Sequence, residues 1–181
     1  MKRNNSIFKK ALGIILVLAV CISLAGNSSV SRAASRYKIK VNKQKNCVTI
    51  YKMNANGKYK PVKAMVCSTG AATPVGTFPL GEKMRWHTLI GPCYGQYCTR
   101  IHGGILFHSV WYYKPSPSTL SSEAYNRLGT TASHGCVRLT VADAKWIYDN
   151  VPSGSPVTVY NSSKPGPLGK PSGIRLPSSS R

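Results

Sequence analysis

The sequence predicts a predominantly β-structured, compact single domain of sandwich type with a minor helical part. Short segments rich in β-branched and aromatic residues recur between turns that contain Gly, Pro and Asn. Only one long segment has helical periodicity, and strands do not alternate with helices as they would in a parallel α/β sheet. The chain has 181 residues, which is enough for one domain with additional terminal segments.

The two ends of the chain differ in composition from the part between them. Residues 1–34 begin with basic side chains and continue with a short apolar stretch, the pattern of a secretory signal peptide or an N-terminal anchor. Residues 161–181 are rich in Ser, Pro, Gly and Lys, so they are predicted to form a disordered basic tail. The folded domain is therefore expected over residues 35–160, secreted or held outside the cytoplasmic membrane.

The domain is expected to begin with three strands. Residues 37–41 alternate apolar and basic side chains, which is typical of a half-buried strand, and residues 47–51 form a second, β-branched run. An Asn-Gly pair at residues 56–57 favours a hairpin turn before a third strand over residues 59–67. Pro61 within that strand predicts an edge position or a strand start.

The remaining elements follow from turn residues and periodicity. The clearest helix is predicted over residues 141–150, because Thr140 is a suitable N-cap and Pro152 lies just beyond the end. The other predicted elements, in chain order, are a Gly/Pro/Thr loop (68–78) that enters a strand, one strand (101–110), a Pro/Ser loop (115–122), a short helix (123–128) and a closing strand (156–160).

The charge distribution limits the classes of function. The chain has 25 Lys and Arg residues and four acids, a formal net charge of +21. A field of that sign attracts polyanions, and behind an export signal the anionic polymers of a cell wall are expected rather than nucleic acid. Four acids leave little for a paired-carboxylate hydrolase or an Asp/Glu metal site. A zinc site made of Cys93, Cys98 and His102 has no good fourth ligand.

The cysteine count indicates a free thiol. Five cysteines remain after residue 34, and an odd number in a secreted protein leaves one unpaired. Cys93 and Cys98 enclose a short loop and could pair, and Cys47 and Cys67 could pair if their strands are neighbours. Those two bridges would leave Cys136 alone. Alternatively, all five are unbridged and buried as small hydrophobic side chains.

Residues 133–138 hold the side chains that carry chemistry. Gly135 beside Cys136 permits close approach of a backbone or a substrate. A nucleophilic cysteine has to be a thiolate and needs a base within hydrogen-bond reach. His134, Arg138 and the general positive field predict a lowered pKa for the Cys136 thiol.

Separated pieces of the sequence resemble one known family. Phe107-His108-Ser109, followed downstream by Ser133-His134-Gly135-Cys136, resembles the signature of the L,D-transpeptidase (YkuD-type) catalytic domain. Ser68-Thr69-Gly70 and residues 73–78 are similar to the family's early segment. The resemblance covers roughly residues 37–160.

The resemblance implies a role for each residue of the motif. Cys136 is implied as the nucleophile and His108 as the base and later the acid, with the main-chain carbonyl of Ser109 orienting the imidazole. The backbone amides of Gly135 and Cys136 are implied oxyanion donors. Arg138 is a candidate for a substrate carboxylate. The residues expected to bind substrate around the thiol are Ser133, His134, Arg138 and His102.

The choice of histidine rests on spacing. His102 is the alternative base, because a Gly follows it as it follows the catalytic His in some members of the family. His108 is favoured, because its distance from Ser133 already exceeds the usual spacing and His102 would need a still longer insertion. The additional residues between His108 and Ser133 are expected in the loop over residues 115–122. His87, beside Trp86, is expected at the surface or packed against aromatic rings.

The family implies a secreted enzyme that cross-links peptidoglycan stem peptides by acyl transfer through a cysteine thioester and releases D-alanine. No metal or cofactor is required, and carbapenem-type β-lactams are implied covalent inhibitors. The alternatives are an L,D-carboxypeptidase, a sortase-like or other secreted Cys/His enzyme, and a non-catalytic cell-wall-binding module. A sortase would carry a Thr-Leu-x-Thr strand before the Cys, which is absent, and a binding module would not explain the two motifs in order.

Overall fold

The strands of the chain associate into one sheet in the computed structural model, which describes residues 34–173 and 175–177. In chain order the strands of this described part are β1 (Tyr37–Asn42), β2 (Cys47–Met53), β3 (Tyr59–Ser68), β4 (Gly76–Pro79), β5 (Lys83–Thr88), β6 (Tyr94–His102), β7 (Ile105–Ser109), β8 (Val137–Leu139) and β9 (Pro156–Tyr160). The helices are α1 (Ser122–Asn126) and α2 (Val141–Asn150), with a 3-10 turn at Pro117–Thr119. The prediction of a predominantly β fold with a minor helical part is confirmed.

The strand order in the sheet is β4-β9-β1-β2-β3-β8-β7-β6-β5. The β1–β9 and β7–β8 pairs are parallel, and the other neighbouring pairs are antiparallel. Residues of β9 and of β6, each next to one end of this order, belong to the same apolar cluster, so the sheet curls around its core. The cluster comprises Tyr37, Ile39, Val41, Val48, Ile50, Met65, Cys67, Leu80, Tyr97, Ile101, Phe107, Val137, Leu139, Ala144, Ile147, Val151, Val157 and Val159.

Strand β3 lies inside the sheet, but Pro61 is the third residue of this strand and lies near its start, one of the two positions that the sequence predicts. Pro61 pairs with Tyr51 next to a register shift between β2 and β3. Strand β8 pairs with β3 only at Cys67 and Ser68. The proline therefore lies in a part of β3 that has one neighbour, where the missing N–H interrupts no second ladder.

Residues 101–110, which the sequence predicts as one strand, form the end of β6 and the whole of β7. Gly103 and Gly104 make the turn between the two antiparallel strands, and Gly103 has a φ of +51°. That left-handed conformation is accessible to glycine at little cost. His102 and His108 therefore lie on different strands. Strand β5 and the first part of β6 were not predicted.

Helix α2 covers the core next to β6, β7 and β8, as the helical periodicity predicts. Its N-cap is Thr140, whose Oγ1 accepts a hydrogen bond of 3.0 Å from the N–H of Asp143. Ala144 and Ile147 are fully buried on the inner face of the helix. The helix fixes the position of β8 and of the motif residues that precede it.

The C-terminal segment contains no helix or strand within residues 161–173 and 175–177. It runs from β9 across β1 and β2 to α1. Asn42 Nδ2 donates to the carbonyls of Ser162 (3.1 Å) and Lys164 (2.8 Å), and Asn126 Nδ2 donates to the carbonyl of Leu176 (2.9 Å). Its disorder stays a prediction.

The predicted signal or anchor at residues 1–34 lies outside the described residues, apart from Ala34. Among the helices that the structure describes, none has the length and apolar character needed to cross a membrane.

Candidate active site

A cavity of about 360 Å³ lies where β7 and β8 meet the loops that precede them. The predicted site residues that line it are Ser133, His134, Gly135, Cys136, Arg138 and His108. Ala72, the β5 end with its following loop, and residues 104–106 complete the lining. The structure therefore brings six of the predicted site residues to one cavity, with the carbonyl of Ser109 directly behind His108.

The register of two parallel strands brings the thiol and the imidazole to the same cavity. His108 on β7 pairs with Arg138 on β8, and Phe107 pairs with Val137. Cys136 directly precedes β8, so it lies at the level of the residues just before His108. Phe107 and Val137 point into the core and are fully buried, which fixes the orientation of both strands.

His108 is 1% exposed, and its Nδ1 lies 2.5 Å from the carbonyl oxygen of Ser109. A carbonyl only accepts hydrogen bonds, so Nδ1 carries the proton and Nε2 keeps its lone pair. Burial lowers the pKa of His108 to about 4; the Ser109 contact opposes this shift, and the charges of Arg138 and His87 add to it. The ring is therefore neutral and basic at Nε2 near neutral pH.

Cys136 is half-buried, with its Sγ 3.7 Å from the carbonyl oxygen of Gly104. Burial raises the pKa of the thiol above its ordinary value of 9.0, while the backbone of Leu106 and the charges of Arg138 and Arg100 act to lower it. The lowered pKa predicted from the sequence is wrong, because desolvation outweighs the neighbouring positive charges. The resting pair is a neutral thiol with a neutral imidazole.

The loop after β3 is bound to the loop that carries the thiol. Ala72 N–H donates to the carbonyl of His134 (3.0 Å), and Thr73 Oγ1 donates to the carbonyl of Gly135 (2.6 Å). A Cβ on Gly70 would lie 2.2 Å from the carbonyl oxygen of Ser133, so only glycine permits this approach. The Ser-Thr-Gly segment therefore positions residues 133–135.

Asn46 supports the same loops and was not singled out from the sequence. It is buried, its Oδ1 accepts from Thr69 N–H and Thr69 Oγ1 (2.8 Å each), and its Nδ2 donates to Thr131 Oγ1 (3.1 Å). Its φ is +52°, a left-handed conformation that Asn tolerates better than most residues. An Asn at the end of the β1–β2 turn was the available signal.

Strand β6 supports the histidine from the other side. Ser109 Oγ accepts from Gln96 N–H (3.0 Å) and donates to the carbonyl of Val110 (2.8 Å). A Cβ on Gly95 would lie 3.1 Å from His108 Nδ1, so the ring packs directly on the backbone of β6. The imidazole is held between a peptide carbonyl and a glycine.

An ion pair fixes the β6–β7 turn that contacts the thiol. Arg100 Nε donates to Glu82 Oε1 (2.8 Å), and Arg100 Nη1 donates to the carbonyl of Gly103. Gly104 follows directly, and its carbonyl faces Cys136 Sγ. One of the chain's four acids is therefore used to hold a wall of the cavity.

The positions of His102 and His87 differ from those expected from the sequence. His102 is exposed and stacks on Phe78 with ring centroids 4.6 Å apart; it does not line the cavity, so the structure does not bring it to the expected substrate-binding position. His87 lines the cavity, because β5 pairs with β6 and places it opposite Gly95. Without a predicted β5, the sequence offered no reason to expect this.

The other predicted substrate-binding residues surround the thiol. Arg138 Nη1 donates to the carbonyl of Ala132 (2.7 Å), and in the described part of the chain its buried Nε has no hydrogen-bond partner. Ser133 Oγ donates to the carbonyl of Cys136 (2.6 Å). His134 is exposed at the rim of the cavity.

The five cysteines of the described region are free thiols: Cys47, Cys67, Cys93, Cys98 and Cys136. Strands β2 and β3 are neighbours, but Cys47 pairs with Val66, so Cys47 and Cys67 point to opposite faces of the sheet. Cys98 is buried beside the cavity, and burial together with Cys136 raises its pKa to about 12. Among residues 34–173 and 175–177, no group of three or more His, Cys, Asp or Glu side chains is arranged to hold a metal ion.

The sequence matches one family of known proteins. The family of L,D-transpeptidase catalytic domains (YkuD) matches residues 36–159. The chain is 44% identical over 92 residues to YciB of Bacillus subtilis (strain 168), whose provisional name is L,D-transpeptidase; the match covers 49% of this chain and 46% of that relative.

Two solved structures have similar folds. An L,D-transpeptidase from Mycobacterium tuberculosis H37Rv is 25% identical with a TM-score of 0.53, and the match covers 70% of this chain and 58% of that one. The L,D-transpeptidase LdtMt1 in complex with imipenem is 22% identical with a TM-score of 0.53, covering 70% and 59% of the two chains. The chain therefore spans less than two thirds of the length of these relatives.

Proposed function

The chain belongs to the L,D-transpeptidase (YkuD) family, and from this premise we propose that it is a secreted enzyme that cross-links peptidoglycan stem peptides through a cysteine thioester. The observation that carries the proposal is the shared cavity of Cys136 and His108, with the imidazole held by the carbonyl of Ser109. A thiol, a base with a free Nε2 and a fixed tautomer are the parts that acyl transfer to sulfur requires.

In the first half-reaction, Cys136 attacks the carbonyl carbon of the stem's third residue, a diamino acid joined to a terminal D-alanine. Because both groups are neutral at rest, His108 Nε2 takes the thiol proton as the S–C bond forms. The backbone amides of Gly135 and Cys136 donate to the oxyanion, an effect worth about 3–4 kcal/mol per donor in other enzymes. The C–N bond to D-alanine then breaks, and His108 returns the proton to the leaving nitrogen.

In the second half-reaction, the side-chain amine of another stem attacks the thioester. His108 Nε2 takes the amine proton as the new C–N bond forms, and the proton returns to Cys136 when the C–S bond breaks. Water attacking in place of the amine would give the carboxypeptidase reaction. The sequence of steps uses one imidazole as base and acid in turn and needs no further side chain for proton transfer.

Arg138 is the residue we assign to a substrate carboxylate. Its guanidinium lines the cavity beside the thiol, and its buried Nε lacks a partner among the described residues. A buried donor without a partner costs free energy, and a carboxylate would satisfy it through a charge-assisted hydrogen bond. His134 and Ser133 complete the wall that faces the stem peptide.

The proposal is tested by trapping the thioester. Imipenem is the ligand named for one structural relative, and we expect it to acylate Cys136, with the opened lactam nitrogen taking the thiol proton through His108. Intact mass spectrometry should show one adduct on the wild-type chain and none on Cys136→Ala. An adduct on the variant would assign the chemistry to another residue.

The natural reaction is measured with a disaccharide-tetrapeptide substrate. Cross-linked dimer masses together with released D-alanine are the expected products, whereas tripeptide alone would identify a carboxypeptidase. A non-catalytic binding module would give neither the adduct nor a product. Secretion is tested separately by locating the protein in culture medium, wall and membrane fractions.

A further inference from the structure

The first three strands carry a concentration of positive charge that the reaction above does not use. Residues 36–63 contain nine basic residues and no acid. These residues are Arg36, Lys38, Lys40, Lys43, Lys45, Lys52, Lys58, Lys60 and Lys63. A segment of one sign is expected to repel itself unless it is exposed to counterions or to an anionic partner.

The acids of the chain do not neutralise this segment. They are found at Glu82, Glu123, Asp143 and Asp149, outside β1, β2, β3, β4 and β9. The ion pairs in the described residues join Lys63 to Asp143 (3.1 Å), Arg100 to Glu82 and Lys145 to Asp149. Of the nine basic residues, Lys63 is therefore the one with an acidic partner in the part of the chain described.

Two of these lysines stand on the outer face of the sheet among tyrosines. Ile39 and Val41 point into the core, so Lys38 and Lys40 point away from it. Lys38 Nζ lies 4.4 Å from the ring centroid of Tyr59 and 5.3 Å from that of Tyr51, and Lys40 Nζ lies 5.7 Å from the Tyr51 ring. We call Lys38, Lys40, Tyr51 and Tyr59 the Lys–Tyr face. Cation–π contacts hold the ammonium groups in place without neutralising them.

We propose that the Lys–Tyr face binds an anionic phosphodiester polymer of the cell wall, at a site separate from the catalytic cavity. The proposal rests on the proposed function, which places the enzyme at the wall. Among the nine basic residues, eight are lysines. A lysine ammonium is a point charge that suits scattered phosphates, whereas arginine suits fixed bidentate geometry. The tyrosine rings offer apolar faces to the carbon units between phosphates.

The face is linked to the cavity by one turn. Lys43, which directly follows β1, donates from Nζ to the carbonyls of Ala71 and Thr73 (2.8 Å each). Ala72, between those two carbonyls, lines the cavity. The Lys43 side chain therefore connects the end of β1 to the loop that forms one wall of the cavity.

The test measures binding of the full chain to purified poly(glycerol phosphate) at low salt, with dextran as a neutral polymer. We expect Lys38→Gln/Lys40→Gln to weaken binding about tenfold, because each lost phosphate contact removes a counterion-release contribution. Lys38→Arg/Lys40→Arg should retain binding. The matched control is Lys114→Gln/Lys145→Gln, which makes the same change in charge on other elements and should stay within about twofold of wild type.

The outcomes separate this proposal from the proposed function. Imipenem acylation is measured on the same preparations, and the Lys38→Gln/Lys40→Gln variant should acylate at the wild-type rate. If the protein is acylated but binds poly(glycerol phosphate) no better than dextran, the proposed role of the Lys–Tyr face is wrong and the enzyme assignment stands. An equal loss of binding in the control variant would also overturn it, because general charge attraction would then explain the binding. Polymer binding without acylation would support the proposed role of the Lys–Tyr face and contradict the proposed enzymatic activity.

Discussion

A buried, neutral histidine has consequences for stability as well as for catalysis. Burial lowers the pKa of His108 from 6.5 to about 4. As the pH falls below 6.5, the unfolded chain binds a proton at this position before the folded chain does. The free energy of unfolding therefore decreases between pH 6.5 and pH 4, in the window between the two pKa values.

We expect the decrease from pH 7 to pH 4.5 to be about 2 kcal/mol larger in the wild type than in His108→Gln, since the variant has no group to titrate there. Denaturant unfolding at the two pH values measures it. The three other histidines are common to both proteins and cancel in the comparison. Parallel pH profiles for wild type and variant would contradict the burial of a neutral imidazole.

His108 and His102 lie in different surroundings, so their replacement should affect acylation differently. Replacing His108 with Ala removes the proposed base, and the second-order rate of acylation by imipenem should fall by about 10²–10⁴. His102 stacks on Phe78 away from the cavity, so His102→Ala should change that rate less than about threefold. Stopped-flow or mass-resolved acylation kinetics measure both variants, and equal losses would mean that the base has been misassigned.

Single residues were predictable where a motif carries them. Two short sequence motifs contain His108 and residues 133–136, and the structure brings these residues to one cavity. The raised pKa of the thiol was not predictable, because desolvation depends on how the whole fold covers the sulfur. Asn46 and His87 were missed for a related reason: their partners are distant in the chain.

At the scale of elements, the β6–β7 turn controls the surroundings of the thiol. Arg100 contributes a positive charge near Cys136 and holds the Gly103 carbonyl, while Glu82 fixes the guanidinium. The turn is two glycines long, so it has no side chains of its own to fix its position. The Arg100–Glu82 ion pair fixes the position of the turn instead.

Replacing Arg100 with Gln should raise the pKa of the Cys136 thiol further and slow its alkylation by iodoacetamide at fixed pH by roughly two- to fivefold, a size typical of a partly exposed charge. Arg100→Lys keeps the charge and should recover most of the rate. Glu82→Gln should have a smaller effect than Arg100→Gln. The pH dependence of alkylation is the measurement, and an unshifted profile in Arg100→Gln would count against the role of this charge.

Elements with strong local signals were predicted, and elements defined by pairing were not. The meander β1–β3, helix α2 and strand β9 follow from alternation, caps and turns. The break between β6 and β7 was missed, because two glycines inside an apolar run gave a weaker signal than the run itself. Strand β8 is three residues long and exists through its pairing with β3 and β7, which no local pattern reveals.

At the scale of the whole molecule, the C-terminal segment covers one end of the outer face. The side chain of Asn42 binds two of its carbonyls, and a Cβ on Gly166 would lie 2.2 Å from Thr49 Oγ1. Cys47 shares that face with Thr49, and the two are 1% and 2% exposed. The segment therefore shields a thiol that the sheet alone would leave open.

Deletion of residues 161–181 should make Cys47 reactive towards iodoacetamide in the native protein, whereas the full chain should protect it. Cys67 is the internal control, because it points into the core and should stay protected in both proteins. Peptide mapping by mass spectrometry distinguishes the two sites. Continued protection of Cys47 after the deletion would show that the segment is not its cover.

The oxygen that orients His108 belongs to the peptide bond of residue 109. Saturation mutagenesis at this position exchanges only the hydroxyl that bonds to Gln96 and leaves the oxygen itself in place. A peptide oxygen also does not ionise in the ordinary pH range, so acid cannot remove it as it would remove a carboxylate. Under the proposed mechanism, an alanine scan should therefore detect Cys136 and His108 but not the peptide oxygen of residue 109, which every substitution retains.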